Sequence, residues 1–137
     1  DRGVEGFVFR GDDGLDEITL ATSTSVLTIG KGEITSDRID AKDFGLTNAP
    51  IEALVGGDST ENARITRAIF SGEKGAPRDA VLLNAAAAIA AFDGEKELGI
   101  HERFVKSLKK AATAVDSGAA KSLLEKWALL TQEIVSN

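Results

Sequence analysis

The sequence has 137 residues, of which 42% are hydrophobic and 28% charged, a balance that supports one packed domain and argues against disorder. Its 16 Lys and Arg against 22 Asp and Glu leave a formal charge of -6, so no basic field steers nucleic acid or anionic lipid toward it. With no Cys and a single histidine, His101, disulfides, thiolate metal sites and multi-histidine zinc sites are excluded, and any metal would be a hard, oxygen-liking ion.

The chain lacks Met and opens on Asp1-Arg2-Gly3-Val4 as though entered partway through an element, so a fragment or processed segment is expected. Gly6 to Arg10 (GFVFR) is short, apolar and aromatic, as a buried strand would be. Immediately after it, GDDGLDEIT places four carboxylates, Asp12, Asp13, Asp16 and Glu17, around Gly14 and Leu15. A solvated acidic turn, a cluster of helix caps and a metal site all fit that composition. On a regular strand Asp16 and Glu17 would point to opposite faces, so sharing one ion demands an irregular turn, which Gly11 and Gly14 permit. Mg2+ keeps several waters and is commonly held by one or two carboxylates plus substrate phosphates, so two adjacent acids suffice.

Ile18 to Ile29 (ITLATSTSVLTI) is rich in β-branched residues, and GKGEIT from Gly30 supplies a turn before a second extended piece reaching Ile39, which predicts a hairpin or meander. Asp43 to Gly45 (DFG) matches a protein-kinase metal motif in isolation, without the glycine-rich loop, strand lysine or HRD triplet that would give it meaning. Asp58 with Glu61 three residues on predicts a helix carrying Ile65, Ala68 and Ile69 on one face and stopping at Gly72. Gly72 to Asp79 (GEKGAPRD) lacks the ending of a P-loop and reads as a connection between helices, with Arg78 and Asp79 as a local ion pair.

Pro77 suits a first helical turn and Asp79 the positive end of its dipole, and Ala80 to Phe92 is apolar except for Asn84, so this helix wants partners on all sides. That is more than a short meander and three other helices can supply, and part of its cover is expected to be missing here. The run falls short of the ~20 residues a bilayer span needs, and no membrane span or signal peptide is read. Ile100, Phe104, Leu108, Ala111 and Val115, then Leu123, Trp127, Leu130 and Ile134, recur at helical spacing and predict two amphipathic helices. Trp127 is expected in the core, with His101, Lys109 and Lys110 solvated. Strands followed by helices suggest one α/β unit, or a piece of one.

The order of GDDGLDEITLATSTSV, DFGL, GGDSTENARITRAIFSGEKGAPRDAVLLNAAAAI and AVDSGAAKSLLEKW resembles the C-terminal part of the anthranilate phosphoribosyltransferase family over nearly the whole chain. The blocks at Asp13 to Glu17, Gly56 to Ala63 and Arg78 to Ala87 keep that family's order and spacing. The resemblance implies the C-terminal portion of the large α/β domain of a nucleoside phosphorylase/phosphoribosyltransferase-like fold, strands and a hairpin followed by about four helices over 1–137. It also implies a tryptophan-biosynthesis enzyme that transfers phosphoribose from phosphoribosyl pyrophosphate to anthranilate, releasing pyrophosphate, with two Mg2+ ions in the complete enzyme. The family's aspartate-glutamate pair for Mg2+ falls on Asp16 and Glu17.

Arg10 departs from the family, where a histidine commonly precedes the acidic block; it could reach phosphate or pair with Asp12 or Asp13. Gly56 to Asp58 (GGD) resembles part of a phosphate loop but sits where Asp58 can cap a helix. The family's glycine-rich phosphate loop and helical N-terminal domain lie upstream of anything present, so this segment alone is expected to be inactive, and no catalytic residue is assigned within it. The implied partners are the missing N-terminal part and, when complete, a second subunit in a cytoplasmic homodimer. A pyrimidine nucleoside phosphorylase-like enzyme and a non-catalytic cation-binding domain are the alternatives.

Overall fold

The computed structural model describes residues 5–30 and 32–136; the opening Asp1 to Val4, read as an element entered partway, and Lys31 of the expected turn lie outside the described residues. Three antiparallel strands, β1 (Gly6–Gly11), β2 (Thr24–Gly30) and β3 (Glu33–Ile39), form a meander in the order β1-β2-β3. The register sets Phe9 opposite Val26 and Val26 opposite Asp37. Side chains alternate across the pleat, so Phe7, Phe9 and Val26 turn toward the helices while Val8 and Leu27 are exposed on the other face. The GFVFR strand is therefore buried on one face only, because an antiparallel meander offers the core a single side.

The expected strand from Ile18 begins instead at Thr24. Ile18, Thr19 and Leu20 are buried yet irregular, and side chains and a loop, rather than a ladder, satisfy their backbone. The Thr19 N–H donates to Thr24 Oγ1 at 3.2 Å, the Ala21 N–H to Thr19 Oγ1 at 3.0 Å, and the Ala49 N–H to the Leu20 carbonyl at 3.1 Å. The β-branched composition of this stretch reflects burial, which strands and buried loops share.

Two 3-10 turns, Ala41–Phe44 and Ile51–Leu54, lead to four helices, α1 (Ser59–Phe70), α2 (Ala76–Asp93), α3 (Ile100–Asp116) and α4 (Ala119–Ser136). The DFG triplet belongs to the first turn: Asp43 Oδ2 accepts from the Asp40 N–H at 2.8 Å in a capping box, a local structural duty. Asp58 caps α1 as expected, accepting from the Glu61 N–H at 2.9 Å. GEKGAPRD connects α1 to α2, with Pro77 in the first turn of α2.

Phe104 of α3 sits at the centre of the core, with the rings of Phe7, Phe44 and Phe9 at 5.7, 5.7 and 6.2 Å and Leu83, Ala87 and Ala90 of α2 in the same cluster. Arg78 corrects the expected local pair with Asp79: it is buried and donates to Asp116 Oδ1 at the far end of α3, at 2.7 Å. His101 is exposed as expected but stacks on Phe44 at 4.9 Å, and Lys110 pairs with Asp93 at 2.6 Å.

Of two expectations about burial, the incomplete cover of α2 is observed and the burial of Trp127 is not. α2 buries Leu82, Leu83, Ala86, Ala87 and Ala90 but exposes Val81 and, at 93%, Phe92. Trp127 is 64% exposed, together with Leu123, Leu130 and Ile134 on α4, so it is not a core residue. Helical periodicity identifies an apolar face on α4, but that face lies largely exposed, bordered by Phe70 of α1.

Candidate functional site

The acidic stretch leaves the end of β1 and folds back at once. The Gly11 N–H donates to the Leu15 carbonyl at 2.8 Å and the Gly14 N–H to the Gly11 carbonyl at 2.9 Å. Gly14 has a φ of 95°, a left-handed conformation that glycine adopts without steric cost. A Cβ on Gly11 would stand 2.4 Å from Asp13 Oδ1, so the Asp13 carboxylate would have to move from its present place. The irregular turn that a shared role for Asp16 and Glu17 requires is thus present.

Within that turn the four carboxylates divide into two kinds. Asp12 pairs with Arg38 of β3. Asp13 accepts from Thr19 Oγ1 at 2.7 Å and from the Leu15 N–H at 3.1 Å, and these bonds, the Thr19 hydroxyl foremost, hold its carboxyl below its ordinary range. Asp16 and Glu17 are exposed and make no hydrogen bond or ion pair among the described residues. None of the four caps a helix, which removes that reading. Arg10 is also exposed, and neither Asp12 nor Asp13 is its partner; Arg38, which nothing in the sequence singled out, takes that place.

Asp16 and Glu17 stand with Leu15 at the rim of an open cavity of about 490 Å3. Ile51, Leu54, Val55 and Gly56 form one wall, Asn62, Ile65 and Thr66 of α1 another, and Pro77, Ala80 and Val81 of α2 a third. GGD therefore has a place at the cavity as well as a cap. Asn62 Oδ1 accepts from the Gly57 N–H at 2.9 Å while its Nδ2 donates to the Gly57 carbonyl at 2.9 Å. A Cβ on Gly56 would lie 2.3 Å from Asn62 Oδ1, so this close approach depends on glycine.

Next to Glu17 in the chain, Ile18 is held in the same manner by Asn84 of α2, which accepts from its N–H at 3.0 Å and donates to its carbonyl at 2.9 Å. Neither asparagine was marked from the sequence as part of the site. For Asn84 a signal did exist: it is the sole polar residue in an otherwise apolar run.

The donor set fits Mg2+. Among the described residues no cluster of three or more His, Cys, Asp or Glu forms a metal cage, whereas two unpaired carboxylates beside an open cavity leave room for the waters and phosphate oxygens that this ion prefers.

A family model described as "Glycosyl transferase family, a/b domain" matches residues 2–121. Anthranilate phosphoribosyltransferase of Arthrobacter sp. (strain FB24) is 47% identical over 131 residues, covering 96% of this chain and 37% of its own length. That of Thermobifida fusca (strain YX) is 48% identical over 127 residues, covering 93% of this chain and 36% of its own. Among solved structures, the Saccharomyces cerevisiae enzyme in complex with PRPP and Mg superposes with a TM-score of 0.78 at 26% identity, covering 90% of this chain and 34% of that one. The Thermus thermophilus enzyme gives 0.71 at 34% identity, covering 91% and 35%. The chain thus spans a little over a third of the length of these curated relatives. The expected α/β, nucleoside phosphorylase-like fold, with its strands and four helices, is the one observed. The chain belongs to this glycosyl transferase family, carrying sequence of its α/β domain, and within the family it is similar to the anthranilate phosphoribosyltransferases.

Proposed function

We propose that the chain is the C-terminal part of an anthranilate phosphoribosyltransferase, and that Asp16 and Glu17 are its Mg2+ ligands. The observation that carries this reading is the division of the acidic turn: two carboxylates have structural partners, and the two at the cavity rim have none. The yeast relatives solved with PRPP and Mg, and with 4-fluoroanthranilate, support the substrate class. In the reaction the ribose C1–O bond to pyrophosphate breaks and a C1–N bond to the anthranilate amine forms, with loss of a proton from that amine. No protein nucleophile is required.

The work of this chain's residues is to bind and orient. Asp16 and Glu17 offer oxygen ligands whose charge is not offset by Lys or Arg, and Ile51, Leu54, Ile65 and Val81 give the open cavity beside them an apolar lining. When bound, Mg2+ supplies positive charge that offsets the charge gathering on the departing pyrophosphate. The glycine-rich phosphate loop, the helical domain, a second Mg2+ ion and a homodimeric partner belong to the same reading and rest on the family resemblance. No observation favours a nucleoside phosphorylase or a non-catalytic cation-binding domain.

The test is Asp16→Asn with Glu17→Gln in the complete enzyme. The expected outcome is loss of Mg2+-dependent formation of N-(5'-phosphoribosyl)anthranilate with an unchanged far-ultraviolet circular dichroism spectrum. Unaltered turnover with unaltered Mg2+ dependence would show that these residues do not hold the ion.

A further inference from the structure

Asn84 stands where an apolar side chain would be the simpler choice. Every other residue from Ala80 to Phe92 is apolar, and the helix packs Leu83, Ala87 and Ala90 into the main core. Its amide is nonetheless fully used. Oδ1 accepts from the Ile18 N–H at 3.0 Å, and Nδ2 donates to the Ile18 carbonyl at 2.9 Å and to the Ala80 carbonyl at 3.1 Å. One side chain thus satisfies both backbone groups of Ile18, as a neighbouring strand would, in a segment that has no strand partner.

What matters is where Ile18 lies. Its own side chain is 2% exposed, so the residue is held by core packing as well as by the amide. On the other side of the carboxylate pair, the Leu15 carbonyl is held by the Gly11 N–H at 2.8 Å. Only Asp16 and Glu17 separate these two fixed points. Adjacent carboxylates repel, and without a restraint on the backbone they would separate until a cation drew them together. The Asp13 to Thr19 bond closes the turn but acts on the flanks of the pair; Asn84 is the group that ties the pair's C-terminal end to a helix lining the same cavity.

We propose that Asn84 is a positioning residue, which fixes the backbone of Ile18 so that Asp16 and Glu17 are set for a divalent cation before the cation arrives. This rests on the reading of those two carboxylates as metal ligands. An alanine at position 84 leaves both Ile18 groups without their partner and frees the end of the pair. A leucine would do the same while filling the space. An aspartate would keep the acceptor for the N–H but set a carboxylate oxygen against the Ile18 carbonyl.

The experiment uses the complete enzyme, with Mn2+ alone as a probe, titrated and followed by the paramagnetic resonance of the free ion. Asn84→Ala should weaken Mn2+ binding about 10- to 100-fold, the range found when groups that orient metal ligands are removed. Asp16→Asn with Glu17→Gln should remove that site altogether. A lower melting temperature for Asn84→Ala with Mn2+ affinity unchanged, while the double variant loses the ion, would overturn the role of Asn84 and leave the metal reading standing. Mn2+ binding by the double variant equal to that of the natural enzyme would overturn both. Should Asn84→Ala fail to fold, hydrogen exchange in the unmodified enzyme decides. The Ile18 amide should be as protected without metal as with Mg2+ and pyrophosphate, and a slowing of tenfold or more on adding them would overturn the proposal.

Discussion

Two phenylalanines on neighbouring helices offer a direct test of the packing. Phe104 is fully buried among the rings of Phe7, Phe9 and Phe44, whereas Phe92 is 93% exposed. Truncating a buried Phe to Ala removes its transfer free energy and leaves a cavity, at about 3–5 kcal/mol. With three aromatic neighbours, held by one strand and a turn, the hole at position 104 cannot close by the shift of one side chain, which points to the upper part of that range. At roughly 3–5 °C per kcal/mol for a chain of this size, the melting temperature should fall by about 12–25 °C. Phe92→Ala should change stability by no more than about 0.5 kcal/mol, because the ring has almost no buried area to lose. The assay is urea unfolding of the 137-residue chain by far-ultraviolet circular dichroism, since the single tryptophan lies on α4 and would report that helix alone. Phe104→Leu, costing ~1–2 kcal/mol, provides a measurable arm if the alanine variant is already unfolded in water. Equal losses at positions 92 and 104, or a loss below about 1 kcal/mol for Phe104→Ala, would refute this account of the core.

Thr19→Val removes the first cause of the lowered Asp13 pKa, so the carboxyl titration midpoint followed by NMR should move upward. A depressed native pKa contributes stability above the unfolded value of about 3.9 that is lost as pH falls through the native one; the variant should therefore lose less stability over that acid window, and an unmoved midpoint would refute the assignment. Trp127, 64% exposed here, should fluoresce at the long wavelength of a hydrated indole in the 137-residue chain and shift to shorter wavelength in the complete enzyme. Identical emission from the two would show that the α4 stripe is not covered by the rest of the protein.

The legible parts of the fold were those with a local cause. The cap at Asp58, the start of α2 at Pro77, and the helix carrying Phe104 and Val115 follow from spacing and capping chemistry that act within a few residues. Ile18 to Ser23 misled because β-branched residues favour strands and buried loops alike, and only the distant Asn84 distinguishes the two. Trp127 misled because periodicity identifies an apolar face without naming what lies over it. Within the site, Asp16 and Glu17 were reached through the order of motifs. Their separation from Asp12 and Asp13 was not, since it depends on Arg38, 26 residues from Asp12 in the chain. Arg78 likewise bypasses the adjacent Asp79 for Asp116, 38 residues away, because folding brings the start of α2 to the end of α3.

Two backbone segments adjoining the residues that line the cavity are fastened by neutral groups. Asn62 to Gly57 and Asn84 to Ile18 are amide-to-backbone pairs, which carry no net charge and do not titrate. Surface ion pairs such as Arg38 with Asp12 weaken as salt is added, because their exposed charges are screened. The two asparagine clasps have no such dependence, so the backbone they hold should keep its shape across ionic strengths that weaken those pairs. Charge pairing and architecture thereby answer to different variables: salt screens the exposed ion pairs, while the neutral clasps hold the backbone constant.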